Sequence, residues 1–500
     1  MAAATNPIIA KYQELVRTAR ADLEEYPADR FKGRGIVICA GGPRYFTNAW
    51  VTVKMLRHHG CKLPIEFWHL GVCEMDDRMR DMVSKYDVTC IDAYKVRKKY
   101  PARRLFGWEC NPFAIIHSSF EEVIFLDADN VPLIDPEVLL DTPQYRDTGA
   151  IFWPDYGRLA RTRQIWEICG VEYRDEPEFE SGQIVVDKRR CWEELNTTMH
   201  LNEHSDFYYT HIHGDKDTFH MAWHICGTRY SMPSRLIHPL RATMCQHDFD
   251  DKRIFQHRNM QKWSLTGKNP RIHGFLMEDK CLEFLKELQD VWDGKIEYPA
   301  PESEEGKEAA SRIAGVRFTY HRIGHDKRKM ELLPDNTIGK GAAQLEKGWF
   351  VQDGDKGPEL CIVGNSVTCV LHEETLGGRW KGRWDNHERM DIELVPDGFV
   401  KAQVAAGTKH ASLVTGKRFV YIRVGHDKRV ISLSDNGQIK EGKADLENVW
   451  EMREVDGKPT LLIGPSKNDF ICSLIKDRDG VWRGKWNKHE KMPIHLVEVP

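Results

Sequence analysis

The sequence contains no long apolar run, no signal-like leader and no excess of basic charge. No stretch approaches the roughly 18 consecutive apolar residues that a membrane-spanning helix needs, and the first thirty residues lack the apolar segment of a secretory signal. The 72 lysines and arginines are balanced by 76 aspartates and glutamates, which gives a formal net charge of -4. Binding to a nucleic-acid backbone requires a basic excess that this chain lacks. We therefore expect a protein without a membrane anchor that does not bind nucleic acid.

The cysteines form neither a disulfide framework nor a recognisable zinc motif. Their number is odd, 13, and no two of them form a CxxC pair. Several lie inside apolar runs, as Cys39, Cys361 and Cys472 do. This distribution is typical of reduced thiols in a protein core. The expected compartment is therefore reducing and cytoplasmic.

The sequence does contain a clear alternation of strand and helix patterns. After an N-terminal helical extension over 1–34, the segments GIVICAGG, LPIEFWHL, VTCIDA and VIFLDAD are typical of buried strands, and helical patterns lie among them. This order predicts an α/β domain over 35–295 with a mostly parallel sheet. Ligands of such a domain are expected beyond the carboxyl ends of the strands.

The C-terminal part contains an internal repeat. The motif GVRFTYHRIGHDKRKMEL recurs later in the chain as GKRFVYIRVGHDKRVISL. Both copies alternate apolar and polar residues and have frequent glycine turns, which predicts two small antiparallel β domains, over 315–396 and 416–500. Linkers are expected at 296–314, which is rich in Pro, Glu, Ser and Ala, and at 397–415.

Six tryptophans occupy matching positions in the two repeats. If they are exposed, their rings offer stacking surfaces for sugars, and the repeats bind glycan or mediate assembly; if they are buried, they belong to the core of each repeat. The sequence leaves both roles open. The six residues are Trp349, Trp380, Trp384, Trp450, Trp482 and Trp486.

The segment FLDADNVPL places two carboxylates where an apolar strand ends. Residues i and i+2 of a strand project to the same side, so Asp127 and Asp129 are expected to face one spot. Such a pair repels itself unless a cation lies between, and Mg²⁺ or Mn²⁺ prefers oxygen ligands and keeps positions open for a substrate diphosphate. The alternative is that both aspartates are ordinary turn or cap residues.

Seven ordered blocks give the region from about 35 to 275 a recognisable character. It resembles the fungal-type α-mannosyltransferase family, and the order of its motifs is also similar to that of glycogenin-type retaining galactosyl- and glucosyltransferases. The resemblance implies a Rossmann-like GT-A fold, a retaining hexosyl transfer, GDP-mannose as donor, Mn²⁺, and a glycan, lipid or protein hydroxyl as acceptor. The blocks are GIVICAGG, VKMLRHHGCKLPIEFWHLG, NPFAIIHSSFEEVIFLDADNVPLIDPEVLL, GAIFWPD, ESGQIVVDK, GDKDTFHMAW and FQHRNMQKWSLTG.

The resemblance also assigns the metal and its surroundings. Asp127 and Asp129 are the implied metal ligands, with Asp127 also on the ribose side of the donor. His257 in FQHRNMQKW is the implied third ligand, with His273 as a rival, and a surface loop position is the alternative for His257. Lys262 is the implied clamp on the leaving diphosphate, where lysine acts as a point charge.

The turn CAGGPR is the implied approach to the nucleotide. It brings the backbone of Ala40 and Gly41 and the side chain of Arg44 to the donor, or it is a plain strand-to-helix turn. Trp153, Pro154 and Asp155 are candidates for the acceptor side, although a core position is the commoner one for a tryptophan.

The blocks ESGQIVVDK and GDKDTFHMAW supply the remaining candidates. Glu180 and Asp215 are the carboxylates implied for the retaining step, while Ser181, Gly182 and Asp217 are implied donor contacts, and Gly182 would let the backbone approach a sugar closely. The alternative for both aspartates is helix capping.

Three other functions remain possible at this point. An enzyme of the same fold could use UDP-glucose or UDP-galactose, and a dead transferase domain could bind glycan without catalysis. A sugar-nucleotide pyrophosphorylase also begins with a strand, a glycine turn and a metal-binding aspartate, although CAGGPRYFTNA fits its longer basic loop poorly.

Overall fold

The computed structural model describes residues 6–499 except 344, 355–356, 365–366, 375–378, 385–389, 398–409, 435–436, 445, 456–457, 467–468, 478 and 487–491. The chain divides into two compact units. The first unit is Met1–Ala300 with Val363–Thr368, and the second is Pro301–Ile362 with Cys369–Pro500. Among the described residues, no helix combines the length and apolar character needed to cross a membrane.

The first unit alternates helices and strands as the sequence predicts. Its helices are α1 (Pro7–Ala21), α2 (Gly42–His58), α3 (Asp77–Ser84), α4 (Ala93–Lys99), α5 (Cys110–His117), α6 (Pro143–Thr148), α7 (Ile165–Cys169), α8 (Trp192–Glu203), α9 (Ser205–Tyr208), α10 (Lys216–Cys226) and α11 (Glu278–Val291). Its strands are β1 (Arg34–Cys39), β2 (Ile65–His69), β3 (Val88–Asp92), β4 (Glu122–Leu126), β5 (Asn130–Pro132), β6 (Ala150–Pro154), β7 (Phe179–Asp187), β8 (His238–Leu240), β9 (Thr243–His247) and β10 (Arg253–His257).

The main sheet of this unit has the strand order β3-β2-β1-β4-β7-β6. The first four strands are parallel, but β7 pairs antiparallel with both β4 and β6. The sheet is therefore mixed, with a parallel half and an antiparallel half, where a mostly parallel sheet was expected. Hydrophobic clusters that include β1, β2 and β4 side chains bury both faces of the parallel half, which is why these strands read as continuous apolar runs.

A second sheet has the strand order β5-β10-β9-β8. Its strand β5 follows β4 directly in the sequence. Three residues separate the end of β4 from the start of β5. Strand β5 pairs antiparallel with β10, so that Asn130 lies opposite His257. This pairing carries a late segment of the chain back to the end of an early strand.

The N-terminal extension contains one helix rather than a helical stretch over its whole length. Helix α1 begins at Pro7, and the Asn6 side chain accepts a hydrogen bond from the Ile8 amide, as an N-cap residue does. Ile9 and Val16 are buried in the core of the first unit. Residues 1–5 lie outside the described part of the chain.

The second unit contains α12 (Glu304–Ile313) and two antiparallel sheets. The sheets are formed by β11 (Val316–Arg322), β12 (Asp326–Leu332), β13 (Gly348–Gly354), β14 (Gly357–Val363), β15 (Val367–Glu373), β16 (Trp380–Trp384) and β17 (Met390–Pro396), and by β18 (Arg418–Arg423), β19 (Asp427–Ser432), β20 (Val449–Val455), β21 (Lys458–Gly464), β22 (Cys472–Lys476), β23 (Trp482–Trp486) and β24 (Pro493–Val499).

The two sheets repeat one topology. Their orders are β12-β11-β17-β16-β15-β14-β13 and β19-β18-β24-β23-β22-β21-β20, so the first strand of each repeat pairs with its last. Trp380 lies opposite Leu394 in one sheet, and Trp482 lies opposite Leu496 in the other. The antiparallel strands expected of the two repeats are thus present as two sheets within one compact unit, and their separation into two domains stays a prediction.

The segment 296–314 is not the featureless linker that its composition suggested. Helix α12 occupies most of it, capped by the Ser303 side chain, which accepts from the Gly306 amide. Ala309 and Ile313 belong to the core of the first repeat. Because only a few apolar residues form the buried face of α12, the spacing of apolar residues that indicates a helix is hard to recognise in this mostly polar segment. Of the other expected linker, 397–415, residues 398–409 lie outside the described part of the chain.

The six repeat tryptophans are core residues, and the proposal that they offer exposed stacking surfaces is wrong. Trp380 and Trp482 are fully buried, and the most exposed of the six, Trp486, retains 6% of its accessible surface. Side chains at these positions stabilise each repeat by burial of apolar area. All 13 cysteines are free thiols, and 9 of them are buried.

Candidate active site

The two aspartates of the FLDADNVPL segment lie just beyond the strand, not within it. Strand β4 ends at Leu126, and Asp127 and Asp129 belong to the tight turn that leads into β5. The Thr52 hydroxyl on α2 donates to the Ala128 carbonyl oxygen at 2.8 Å, which fixes this turn. The Asp127 amide donates to the Gly182 carbonyl oxygen at 2.9 Å. The convergence expected of the two side chains is therefore produced by a turn and its supports.

His257 completes a compact group with the two carboxylates. Its Nε2 atom lies 3.5 Å from Asp127 Oδ2 and 3.5 Å from Asp129 Oδ1. The pairing of β5 with β10 makes this contact, and the Arg258 amide adds a 3.0 Å hydrogen bond to the Asp129 carbonyl oxygen. Asp129 and His257 are buried, whereas the Asp127 side chain keeps 29% of its surface exposed. The group therefore has one open side.

Glu180 lies behind His257 and does not face the two aspartates directly. Its Oε1 atom is 3.1 Å from His257 Nδ1 and accepts from the Gly182 amide at 2.9 Å. Its Oε2 atom accepts from the Gln183 side chain. A carboxylate on the far nitrogen fixes the tautomer and ring orientation of a ligating histidine. The contacts of Glu180 are those of a residue that orients His257, and its expected role as a reacting carboxylate stays a prediction.

Gly182 leaves the space that His257 occupies, and the expected approach of its backbone to a sugar stays a prediction. A Cβ atom at this position would lie 2.4 Å from His257 Nδ1 and 2.7 Å from Glu180 Oε1. Any side chain would displace the ring or the carboxylate. Ser181 next to it is partly buried, and its expected contact with the donor stays a prediction.

Four carboxylates lie close together at this site, and the pKa values of Asp127 and Asp129 are shifted in opposite directions. Burial and the neighbouring carboxylates raise the pKa of Asp127 to about 7, against the opposing charge of His257. Burial would also raise the pKa of Asp129, but His257 and Lys262 hold it at about 2. Burial alone would lower the pKa of His257, yet Asp129 and Glu180 raise it well above its usual range.

This donor set fits a hard divalent cation. Two carboxylates and one imidazole offer ligand atoms that all lie within 4.8 Å of one another. A metal ion between them would neutralise the excess negative charge that the raised pKa of Asp127 reports. Oxygen-rich sets with one histidine suit Mn²⁺ or Mg²⁺.

Lys262 contacts a metal-binding candidate directly. Its ammonium forms an ion pair with Asp129 Oδ2 and donates to the Asn259 carbonyl oxygen at 3.2 Å. The sequence predicted a lysine aimed at phosphate alone. In the structure the ammonium pairs with Asp129 and Lys262 also lines a cavity, while its contact with phosphate stays a prediction.

The cavity beside Lys262 has a volume of about 460 Å³. Pro43, Arg44 and Thr47 from the first turn of α2 line one side of it, and Lys262 lines another. The exposed amides at a helix N-terminus favour anions. The expected position of Arg44 near a phosphate site is therefore compatible with the structure.

The other two predicted residues of the CAGGPR turn, Ala40 and Gly41, contact other parts of the protein. The Ala40 amide donates to the Trp68 carbonyl oxygen at 2.9 Å, so it extends the β1–β2 pairing and is not free for a nucleotide. A Cβ atom on Gly41 would lie 2.0 Å from Glu74 Oε2. Burial raises the pKa of Glu74 to about 8. Gly41 is thus needed because a buried carboxyl group lies against it.

Asp215 is a buried carboxylate that does not cap its helix. It precedes α10 without a side-chain capping hydrogen bond and accepts from Asn111 Nδ2 at 2.9 Å. Burial raises its pKa to about 6, although the Asn111 hydrogen bond lowers it. Its charge also raises the pKa of Asp127, so the two carboxylates sense each other. Asn111 is a supporting residue of this site, and no motif in the sequence pointed to it.

Four of the predicted residues contact other parts of the protein and not the group of Asp127, Asp129 and His257. Asp217 accepts from the His213 amide at 2.9 Å and pairs with Lys216 at 3.0 Å, as a residue of the first helical turn does. Asp155 also pairs with Lys216, at 3.1 Å. Trp153 is fully buried and donates to the His247 carbonyl oxygen at 2.8 Å. The fourth is Pro154, whose carbonyl oxygen accepts from buried Gln246.

The rival metal ligand is not part of the site. His273 is exposed, and it does not belong to the group formed by Asp127, Asp129 and His257. Among the described residues, the choice between the two histidines therefore favours His257. A histidine in β10 reaches the aspartates because β10 pairs with β5, whereas His273 lies beyond that strand.

The region that contains this group matches a known family. A family model described as "Mannosyltransferase putative" matches residues 33–178 and 171–260. Residues 33–260 are thus similar to this mannosyltransferase family. The resemblance seen in the seven sequence blocks is confirmed, and Asp127, Asp129 and His257 all lie inside the matched residues.

Curated relatives agree with the family model. The domain is 25% identical over 276 residues to alpha-1,2-mannosyltransferase MNN21 of Candida albicans, which covers 43% of this chain and 41% of that protein. It is 26% identical over 260 residues to alpha-1,2-mannosyltransferase MNN5 of Saccharomyces cerevisiae, which covers 40% of this chain and 44% of that protein. The chain thus spans less than half the length of these relatives.

Solved structures give weaker similarity to this domain. The mannosyltransferase Ktr4p from S. cerevisiae, solved in complex with GDP, superposes with a TM-score of 0.29 at 13% identity over 45% of this chain and 77% of that one. The galactosyltransferase LgtC superposes with a TM-score of 0.28 at 11% identity over 40% of this chain and 73% of that one.

Proposed function

We propose that this protein is a metal-dependent retaining mannosyltransferase of GT-A type that moves mannose from GDP-mannose to a hydroxyl acceptor. One observation carries the proposal: Asp127, Asp129 and His257 converge within a domain that is similar to a mannosyltransferase family. The relatives are named alpha-1,2-mannosyltransferases, and the choice of GDP-mannose follows that resemblance. The acceptor is a glycan, a lipid or a protein hydroxyl.

Mn²⁺ is the proposed cofactor, with Mg²⁺ as a substitute. Asp127, Asp129 and His257 would hold it, and Glu180 would orient His257 from behind. When bound, the metal supplies positive charge against the leaving diphosphate. The 29% exposed side chain of Asp127 marks the side from which donor enters.

The chain provides two further groups for the diphosphate. Lys262 and Arg44 both line the 460 Å³ cavity, and the N-terminus of α2 opens on the same space. Negative charge develops on the leaving phosphate as the bond to the sugar breaks, so fixed positive groups here favour the transition state over the bound donor. Lys262 would exchange its present contact with Asp129 for one with phosphate.

Asp215 is the proposed carboxylate on the sugar side. The Gly182 amide, the Gln183 side chain and His257 all contact the oxygens of Glu180, whereas among the described residues Asn111 is the one other residue that donates a hydrogen bond to the side chain of Asp215. Ionised Asp215 would stabilise the positive charge that develops on the anomeric carbon. Retention follows either from a covalent adduct on this carboxylate or from attack by the acceptor on the face of the leaving group.

The test is the release of nucleoside diphosphate from candidate donors. Purified protein is incubated with GDP-mannose, UDP-glucose or UDP-galactose, each with and without Mn²⁺, and GDP or UDP is quantified. We expect metal-dependent release from GDP-mannose that the Asp129→Asn variant lacks. Preference for a UDP-hexose would replace the donor but keep the reaction. Pyrophosphate formation from GTP and mannose 1-phosphate would support a pyrophosphorylase instead.

The acceptor is then sought with the same protein. A panel of mannosides, lipid-linked sugars and glycopeptides is offered with GDP-mannose and Mn²⁺, and products are identified by mass. We expect retention, which means that the new bond has the same anomeric configuration as the donor. Binding of glycans without any donor turnover, in wild type and in Asp129→Asn alike, would favour a noncatalytic glycan-binding protein.

A further inference from the structure

A second group of metal-ligand side chains lies along α10, away from the site described above. His220 and His224 are four residues apart on this helix, so their side chains lie on one face one turn apart. Glu176 comes from the loop that precedes β7 and meets both rings. Because α10 rises about 1.5 Å per residue, His224 is roughly 13 Å along the helix axis from Asp215 at its start.

The three side chains converge on one point. Both Nε2 atoms approach the same carboxylate oxygen, Glu176 Oε1, His220 at 2.9 Å and His224 at 2.6 Å. The side chains of both histidines are 1% exposed. The two imidazole nitrogens thus share a single carboxylate oxygen as their partner, and both are directed at the same point.

The surroundings hold this arrangement in place. The ring of Phe179 stacks on His220 with a centroid distance of 4.4 Å, and Trp166 packs against His224 at 5.9 Å. Tyr230 forms a hydrogen bond with the Glu176 carboxylate. An outer partner that fixes a ligating carboxylate is a general feature of protein metal sites.

We propose that Glu176, His220 and His224 bind a zinc ion, at a site separate from the Asp127 group. Two imidazoles and one carboxylate are a ligand set that zinc uses, at about 2.0–2.2 Å from each ligand atom. The three ligand atoms already lie within 4.8 Å of one another. Glu176 is the partly exposed member, 26% at its side chain, so it can draw back from the two nitrogens to admit the ion, and a water completes the tetrahedron.

The ligand types separate this site from the first one. The Asp127 group offers more carboxylate than imidazole, which suits Mn²⁺ or Mg²⁺, whereas the α10 group offers more imidazole than carboxylate, which suits zinc. The two sites would therefore bind different metals, because their ligand types differ. The proposal does not depend on the sugar donor or on catalysis.

The consequence of zinc binding is mechanical. Glu176 belongs to the segment that continues through Glu178, which pairs with Lys216, to Glu180 in β7. An ion held by Glu176 and α10 would fasten this segment to the helix that begins next to Asp215. A metal that binds only the folded state also raises its stability by mass action.

The test uses full-length protein stripped with a chelator. Zinc is titrated against a chromogenic competitor, and Co²⁺ absorption in the visible range reports tetrahedral coordination. The titration is done in an Asp127→Asn/Asp129→Asn background, so that the first site cannot supply the zinc ligands. We expect one equivalent of tightly bound zinc, a tetrahedral Co²⁺ spectrum and a higher melting temperature with zinc.

Variants of the second site decide between a metal site and a plain hydrogen-bonded group. In the same background, His224→Ala and Glu176→Gln should abolish the stoichiometric binding and the Co²⁺ spectrum, while His117→Ala, which alters a partly buried histidine elsewhere, should keep both. Circular dichroism checks that each variant is folded, and Glu176→Gln keeps the shape of the side chain. Absence of a tight equivalent in the parent, or equal binding by His224→Ala, overturns the proposal.

Discussion

Glu180 Oε1 lies 3.1 Å from His257 Nδ1, on the side of the ring opposite the two aspartates. A carboxylate in this position holds the imidazole in the tautomer whose Nε2 lone pair faces the metal. The ring thus lies between this carboxylate and the two aspartates.

The Glu180→Gln variant should therefore lose metal affinity without losing the capacity to react. We expect Mn²⁺ affinity to fall by about 10- to 100-fold, as is common for residues that orient a ligand, and turnover to recover when Mn²⁺ is raised. Mn²⁺ titration of donor hydrolysis measures this. If turnover stays low at saturating Mn²⁺, Glu180 takes part in the chemistry itself. The Glu180→Asp variant, which keeps the charge, is the control.

Removal of His257 should weaken metal binding and turnover together. The His257→Ala variant loses one of three ligands, so we expect Mn²⁺ affinity to fall by more than about tenfold while the fold persists. His273→Ala is the matched control, because His273 is exposed and outside the group. Mn²⁺ titrations of both variants give the comparison. A metal defect in His273→Ala with a normal His257→Ala variant would show that the ligand assignment is wrong.

Removal of Lys262 should separate metal binding from catalysis. The ammonium now pairs with Asp129, so it competes with a metal for that carboxylate. The Lys262→Ala variant should bind Mn²⁺ as well as wild type or better when donor is absent. Its turnover should fall by about 10- to 100-fold, because a charged contact to phosphate is lost. Weaker Mn²⁺ binding in donor-free protein would contradict this assignment.

Metal affinity should depend on pH in one direction. The pKa of Asp127 is raised to about 7 and that of His257 well above its usual range, so protons and Mn²⁺ compete for both groups. Below pH 7, each displaced proton should weaken Mn²⁺ binding by about tenfold per pH unit. Mn²⁺ titrations between pH 5.5 and 8 measure the slope. Asp129, with a pKa of about 2, contributes nothing in this range, and a flat profile would refute the coupling.

The first unit should fold without the repeats. A chain ending at residue 300 retains the first unit apart from Val363–Thr368, and it should be soluble and hydrolyse donor as the full chain does. A chain ending at 314 is the instructive comparison, because it retains α12 without the core that buries Ala309 and Ile313. We expect it to aggregate more readily. Loss of donor hydrolysis in the shorter chain would assign the repeats to the catalytic unit.

The sequence predicted the elements of the site better than their relationships. Asp127, Asp129 and His257 could be selected because each stands next to an apolar strand in a family-like block. Their contact depends on the pairing of β5 with β10, between residues about 130 positions apart in the chain, and a long-range strand pairing leaves no local trace in composition or period.

Residues with two possible partners were the hardest to predict. Gly182 and Gly41 were expected to admit a ligand, but their absent side chains leave room for His257 and Glu74. Local sequence shows that a glycine is needed and does not show what lies opposite. The repeat tryptophans were undecided for a similar reason, since alternation along a strand does not tell which face is covered.

The shared register of the two repeats has a consequence for folding. Tyr320 faces Leu394 in the first sheet as Tyr421 faces Leu496 in the second, so the opening strand of either repeat fits the closing strand of the other almost equally well. Two neighbours with interchangeable strands are prone to exchange them while the chain is being completed. Divergence between the copies outside these core positions thus acts as a safeguard, because it makes the correct partner within each repeat the better one.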